Sequence, residues 1–300
     1  MRNILISGGS GLVGMALTRQ LLSMDYQVAH LSRKKQSVDG VKVWQWDPSE
    51  KWIEPGALNH VNTIIHLAGA NIGTTKQDEK GKRILTSSRI DTAQLLFSEA
   101  QKYKASLKTF ISASAIGYYG MVSSDRIFEE SDPPGKGFVP ELTAEWEKAA
   151  DQFKSLCRVA KIRVAVVLDK NEGALPKMAL PVNFGAGAAL GTGKQWVPWI
   201  HIQDLVGIFT HIIENSQLEG VFNAVAPEHI NNHNLTKAIA KVLNKPFFLP
   251  NVPSFLLRFL FKERAALILE GSRVSGKKII DAGFKFRFEK VEAALKEVYD

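Results

Sequence analysis

Residues 3–14 already restrict the fold. Asn3-Ile4-Leu5-Ile6-Ser7 is a short apolar run with strand character. It passes into Gly8-Gly9-Ser10-Gly11 and then into Leu12-Val13-Gly14, where helical spacing begins and continues to Met24. A strand that ends in glycines and restarts as a helix is the first half of a βαβ unit. Gly8, Gly11 and Gly14 are spaced G-x-x-G-x-x-G, and Gly9, Gly11 and Gly14 also satisfy G-x-G-x-x-G. Without Cβ atoms the chain turns sharply, a pyrophosphate reaches the main chain, and the free N–H groups of the following helix face that anion. A tight βα turn that binds nothing is the alternative.

Strand-like and helix-like stretches then alternate. Strands are expected at Gln27–Leu31, Val41–Trp46, Thr63–Leu67, Thr109–Ser112 and Ile162–Leu168. Helices are expected at Ile84–Tyr103 and Glu141–Ala160. This order predicts an α/β Rossmann-type fold, a doubly wound parallel sheet. Past Lys170 the pattern loosens: a Gly/Ala-rich loop at Gly185–Gly193, a strand or turn becoming a helix over Trp199–Asn215, an extended link at Pro246–Pro253 and a helix over Leu256–Leu269. A dinucleotide-binding domain over 1–170 is expected, with later segments returning to it, and a smaller substrate-side lobe over 171–300.

The dinucleotide can be narrowed. Chains that bind an unphosphorylated ribose usually place Asp or Glu at the end of the second strand. Here that position reads Leu31-Ser32-Arg33-Lys34-Lys35, with no carboxylate. A guanidinium and ammoniums suit a 2′-phosphate, which points to NADP(H); a basic surface loop is the other reading.

Composition excludes other classes. The formal charge is +8, but the basic residues are scattered and form no arm or zinc-finger pattern, so nucleic acid is not the expected partner. One cysteine, Cys157, rules out an intrachain disulfide framework and fits a reducing compartment. No run reaches the roughly 18 apolar residues of a membrane span, and no secretory signal precedes the first strand. A cytoplasmic protein without membrane partner is expected, as monomer or homodimer. The seven histidines show no metal-ligand spacing, and no G-x-S-x-G elbow occurs.

Several stretches together resemble the extended short-chain dehydrogenase/reductase family, and more narrowly the epimerase-family proteins of the YfcH type with their C-terminal segment of unknown function. They are SGGSGLVG (7–14), IHLAGA (65–70), Ser88-Arg89 with Thr92, FISASAIGYYG (110–120), Trp146-Glu147, Gly173-Ala174-Leu175, GTGKQWVPWIHIQD (191–204), GVFNAVAP (220–227) and Gly283-Phe284. The resemblance spans nearly the whole chain. It implies cofactor contacts at Leu67, Ala68 and Gly69 and at Ser112 and Ala113, beside those expected from the residues themselves at Gly8, Ser10, Gly11, Leu12 and Val13, at Ser32, Arg33 and Lys34, and at Arg89. It implies oxidoreductase or epimerase activity on a small polar, sugar-like substrate.

The same resemblance exposes a gap. The wider family uses a serine or threonine with Y-x-x-x-K, the tyrosine acting as acid/base and the lysine lowering its pKa. Ser114 matches the serine. Val139 and Thr143 stand where tyrosine and lysine would be. Tyr118 and Tyr119 are the replacement candidates. Lys82, Glu130, Trp199 and His201 are substrate-side candidates, with Glu129, Asp132 and Trp196 beside them. Each has a structural alternative: packing for the aromatics, a solvated loop for the acids, a buried polar role for the histidine. A protein that binds NADP(H) without turnover, as a redox sensor, is the alternative function.

Overall fold

The computed structural model describes residues 3–34 and 37–300; Lys35 lies outside them. The strands are β1 (Asn3–Ser7), β2 (Gln27–Ser32), β3 (Lys42–Asp47), β4 (Trp52–Ile53), β5 (Thr63–His66), β6 (Thr109–Ala115), β7 (Ile127–Phe128), β8 (Arg158–Val164), β9 (Val166–Leu168), β10 (Trp199–His201), β11 (Gly220–Ala224) and β12 (Arg273–Val274). Eight form one sheet in the order β11-β8-β6-β5-β1-β2-β3-β4. β1 pairs in parallel with β2 and with β5, β2 with β3, and β5 with β6; β4 is antiparallel to β3. The expected Rossmann-type parallel sheet is thus observed.

The helices are α1 (Leu12–Ser23), α2 (Glu79–Ser87), α3 (Ile90–Lys102), α4 (Phe138–Asp151), α5 (Leu175–Asn183), α6 (Ile202–Glu214), α7 (Asn232–Val242), α8 (Ser254–Phe261), α9 (Ala266–Leu269), α10 (Lys277–Asp281) and α11 (Val291–Tyr299). β1 is buried from Ile4 to Ser7, as a central parallel strand covered on both faces should be. α1 buries Gly14, Leu17, Thr18 and Leu21, one stripe at helical spacing. Asp78 caps α2 by accepting the Gly81 N–H at 2.8 Å, and Asn231 caps α7 through the Asn234 N–H at 2.9 Å.

The chain divides into two compact units. The first comprises 1–114, 141–162 and 209–221; the second comprises 115–140, 163–208 and 222–300. The division is interleaved, whereas the sequence suggested a boundary near Lys170 with later returns. Residues 115–140 already belong to the second unit. The first unit's core includes Leu5, Ile64, Leu96, Phe110 and Phe153, the last two stacked at 3.6 Å. The second packs Leu168, Leu175, Val182, Trp199, Leu235, Ile239 and Leu295 together.

Several element boundaries differ from the sequence expectation; the helix expected over Leu256–Leu269 is α8, a 3-10 turn at Lys262–Ala265 and α9. The helix expected over Ile84–Tyr103 is two helices, broken at Ser88-Arg89. There Ser88 Oγ accepts the Ala70 N–H at 2.9 Å, and the Arg89 guanidinium donates to the Leu85 and Ala70 carbonyls at 3.0 and 2.9 Å. The helix expected over Glu141–Ala160 starts at Phe138 and ends at Asp151, because Phe153 turns into the core and the β-branched residues from Val159 onward join the sheet. The strand expected over Ile162–Leu168 is the end of β8 followed by β9, and β9 pairs with β10.

Candidate functional site

In the first unit, the turn after β1 is built around missing Cβ atoms. Gly8 has φ +76°, and a Cβ there would lie 2.8 Å from the Leu67 carbonyl carbon and the Ala68 nitrogen. Gly14 would place its Cβ 2.4 Å from the Gly8 oxygen. Gly9 makes room for the His30 ring, whose nearest atoms would be 2.5 Å away; His30 Nε2 in turn meets Thr18 Oγ1 at 2.7 Å. These three glycines are required by the protein's own packing. Gly11 is different. It is exposed, its Cβ would meet nothing closer than 3.5 Å, and it is the N-cap of α1 without a side-chain cap. No acidic residue stands in the first turn of α1. The helix therefore presents free N–H groups beside exposed Ser10 and half-buried Leu12 and Val13, which suits an anionic group.

β5 brings Leu67, Ala68 and Gly69 against this turn. Leu67 donates its N–H to the Ser7 carbonyl at 2.9 Å. Beneath them His66 is buried and shares a 2.7 Å hydrogen bond with Ser7 Oγ through Nδ1. Its Nε2 lies 3.2 Å from the Arg89 carbonyl and 3.3 Å from Thr92 Oγ1. Burial pulls the imidazole down to about 4, so it is neutral at pH 7. The Arg89 guanidinium lies under Gly69, 3.1 Å from where a Cβ would stand, and 5.0 Å from the Trp146 ring centre. Burial brings it down to about 10, still protonated at neutral pH. Lys82 pairs with Glu79 one turn away at 3.0 Å. At the end of β2, Ser32 is half-buried and accepts the Lys34 N–H at 3.3 Å, while Arg33 and Lys34 are exposed.

Ser112 is buried and donates to the Ala113 carbonyl at 2.8 Å. Ser114 is buried and donates to Glu147 Oε1 at 2.6 Å. Glu147, itself buried, was not singled out as a site residue from sequence. Its signal was available: an acidic residue on the buried face of α4, one turn after Thr143 and surrounded by Trp146, Ala149 and Ala150. With its proton directed to a carboxylate, Ser114 keeps its oxygen lone pairs free of this bond.

The second unit holds the tyrosines, and it separates them. Tyr119 is buried; its hydroxyl donates to Asn223 Oδ1 at 2.8 Å and accepts from Arg163 Nη1 at 2.8 Å. Burial pushes the phenol up to about 12 despite the nearby guanidinium. Tyr118 is half-buried, its ring lies 3.4 Å from the Arg163 guanidinium carbon, and its hydroxyl has no hydrogen-bond partner among the described residues. Glu130 accepts the Asn223 N–H at 2.8 Å, and Asp132 braces its own loop by accepting from the Glu129 N–H and pairing with Arg126.

Two sequence candidates lie in the core of this unit. Trp199 has no exposed surface, and its indole N–H donates to the Glu228 carbonyl at 3.0 Å. His201 is 2 % exposed, stacks near Phe288 and accepts the Gln203 N–H through Nδ1. Burial brings it down to about 4. Neither presents a surface to a ligand; the physical reason is that β10 is enclosed by its partners. Trp196 donates its indole N–H to the Ser124 carbonyl and carries Arg273 over its ring. Among the described residues no group of His, Cys, Asp and Glu could hold a metal, and no helix is long and apolar enough to cross a membrane.

A model of the NAD dependent epimerase/dehydratase family matches residues 4–140, and a domain of unknown function (DUF1731) matches residues 252–298. The epimerase family protein YfhF of Bacillus subtilis is 34 % identical over 302 residues, covering 99 % of this chain and 97 % of that protein. The crystal structure of the human epimerase family protein SDR39U1 with NADPH superposes with a TM-score of 0.86 at 30 % identity, covering 99 % of this chain and 98 % of that one. A Thermus thermophilus UDP-glucose 4-epimerase structure, 18 % identical with a TM-score of 0.77, shares the fold. With these relatives matched from end to end and the glycine turn in place, the chain belongs to the NAD dependent epimerase/dehydratase family.

Proposed function

We propose that the protein binds NADP(H) and acts as an oxidoreductase or epimerase on a small polar, sugar-like substrate. The observation that carries the cofactor reading is the turn after β1: α1 begins at an exposed, uncapped Gly11, and the neighbouring β2 ends in Ser32, Arg33 and Lys34 with no carboxylate. Gly8, Ser10, Gly11, Leu12 and Val13 would hold the pyrophosphate by main-chain N–H groups. Arg33 and Lys34 would hold the 2′-phosphate, Arg33 through paired charge-assisted bonds. Leu67, Ala68, Gly69, Ser112 and Ala113 would line the rest of the dinucleotide. Arg89 supports that lining from beneath Gly69. The nicotinamide, when bound, supplies hydride transfer.

The proton is assigned to Tyr118. Of the two tyrosines it alone has a hydroxyl uncommitted among the described residues, and the Arg163 guanidinium over its ring is a fixed positive charge, in a chain that lacks the family's usual lysine. Tyr119 is instead a structural member of that network. Lys82 and Glu130 remain substrate-side candidates, both half-buried. A second reading, binding without turnover, is favoured by Val139 and Thr143 in place of tyrosine and lysine.

The test is reduced-nicotinamide absorbance with bound NADPH against pooled keto-sugars and aldehydes, followed by Tyr118→Phe. Oxidation that collapses in Tyr118→Phe supports the assignment. Oxidation that survives removes Tyr118, and a cofactor that binds while neither NADPH oxidation nor epimerisation of the pooled sugars with bound NADP+ is seen moves the protein to the sensor reading.

A further inference from the structure

The second unit carries a group of large apolar side chains with no cover. Phe184, Phe259, Phe248 and Phe255 are 81 %, 78 %, 76 % and 75 % exposed, and Leu180 and Leu260 are more than half exposed. Single exposed apolar residues are ordinary; protruding phenylalanines in this number are not. They come from α5, from the chain before α8, and from α8 itself. Backbone hydrogen bonds tie these segments together. Val252 donates to the Ala189 carbonyl at 2.8 Å and accepts from the Gly191 N–H at 2.9 Å, and a Cβ on Gly185 would lie 3.9 Å from Pro246. α8 reads Ser-Phe-Leu-Leu-Arg-Phe-Leu-Phe and buries only Leu257. Phe255 and Phe259, four residues apart, share one side of it.

Exposed cations flank these side chains in sequence. Lys177, Lys245, Arg258 and Lys262 are exposed, and none forms an ion pair among the described residues. Glu263 is the nearest carboxylate in sequence to α8. Phenylalanine and leucine that protrude, interleaved with unpaired cations, are the chemistry of a helix lying in the headgroup region of an anionic bilayer. We propose that this face docks on an anionic lipid surface, α8 lying in its plane. At eight residues, α8 is about 12 Å long, far short of the roughly 30 Å hydrocarbon layer, so it lies on the membrane without crossing it. A second copy of the chain fits the charges less well. A two-fold interface sets the same patch against itself, bringing a second set of the same cations, Arg258 and Lys262 among them, to a patch whose nearest carboxylate in sequence is Glu263.

The test is co-sedimentation of the full chain with vesicles of phosphatidylcholine alone and of phosphatidylcholine mixed with phosphatidylglycerol. Binding is expected to the mixed vesicles only, and to weaken with salt. Phe255→Ser with Phe259→Ser should abolish it while leaving the melting transition in place, since both side chains already face water. Arg258→Ala with Lys262→Ala should weaken it roughly thirtyfold, five- to sixfold for each cation lost. No binding to the mixed vesicles overturns the proposal, as does binding untouched by the phenylalanine changes. Sedimentation equilibrium supplies the last arm: a dimer that dissociates in the Phe255→Ser, Phe259→Ser variant assigns the face to a second copy instead.

Discussion

The turn after β1 and the loop that carries Tyr118 and Tyr119 are both short, glycine-flanked segments at strand ends, yet they are made in different ways. The first is a backbone object. Gly8 and Gly14 leave no room for a Cβ, Gly11 leaves the start of α1 bare, and the glycines that make the turn lie within seven residues of sequence. The second is a side-chain object. Tyr119 is fixed by Arg163, 44 residues away, and by Asn223, 104 residues away. The comparison shows that the turn is specified by where side chains are absent, whereas the tyrosine loop is specified by which distant side chains reach it.

The contrast can be broken most forcefully at Gly14. Gly14→Ala puts a methyl 2.4 Å from the Gly8 oxygen, with backbone on both sides. A loss of about 3 kcal/mol in denaturant unfolding is expected, together with loss of NADPH binding by titration. A variant that unfolds and binds like the parent would show that the turn is loosely packed.

His66, beneath the same turn, gives a pH signature. Its imidazole titrates at about 4 in the folded chain against an ordinary 6.5. Between those values the unfolded chain binds the extra proton, so stability is full above about pH 6.5. It falls by up to about 3 kcal/mol as the pH drops to 4. Unfolding measured at pH 7 and pH 5 should show a steeper loss in the parent than in His66→Asn. Equal losses would mean that His66 is not held neutral.

The two tyrosines sharpen the other side of the comparison. On any carbonyl substrate that oxidises bound NADPH, Tyr118→Phe should lower turnover about a hundredfold or more and leave stability within about 0.5 kcal/mol. Tyr119→Phe should do the reverse: turnover held, stability lowered by about 1–2 kcal/mol, because the Arg163 and Asn223 groups it leaves are buried. Exchange of the two outcomes would reverse the assignment of roles.

These differences set what could be read from the residues alone. The parallel sheet was legible because strand and helix periodicities alternate from Asn3 to Ser112, and the glycine turn because its spacing is local. The break at Ser88-Arg89 was not, since it depends on a guanidinium reaching carbonyls on two segments. The end of α4 at Asp151 was not, because Phe153 leaves the helical path to stack on Phe110. Trp199 and His201 sit in a polar-looking stretch, Trp199-Ile200-His201-Ile202-Gln203-Asp204, but β10 is enclosed; burial there follows from tertiary packing that local pattern does not encode. The role of Glu147 was not legible, because a glutamate on a helix shows its partner only once Ser114 is placed against it.

The smallest effect asks the most of the account, because Arg33 is exposed and is assigned a phosphate that only the dinucleotide can supply. Calorimetric titration of the cofactor-free protein with NADPH and NADH, repeated on Arg33→Ala, tests this directly. NADPH should bind more tightly than NADH, and Arg33→Ala should weaken NADPH about thirtyfold, close to 2 kcal/mol, while leaving NADH nearly unchanged. Equal weakening of both would contradict the 2′-phosphate assignment, and binding of neither would reduce the glycines after β1 to a tight turn.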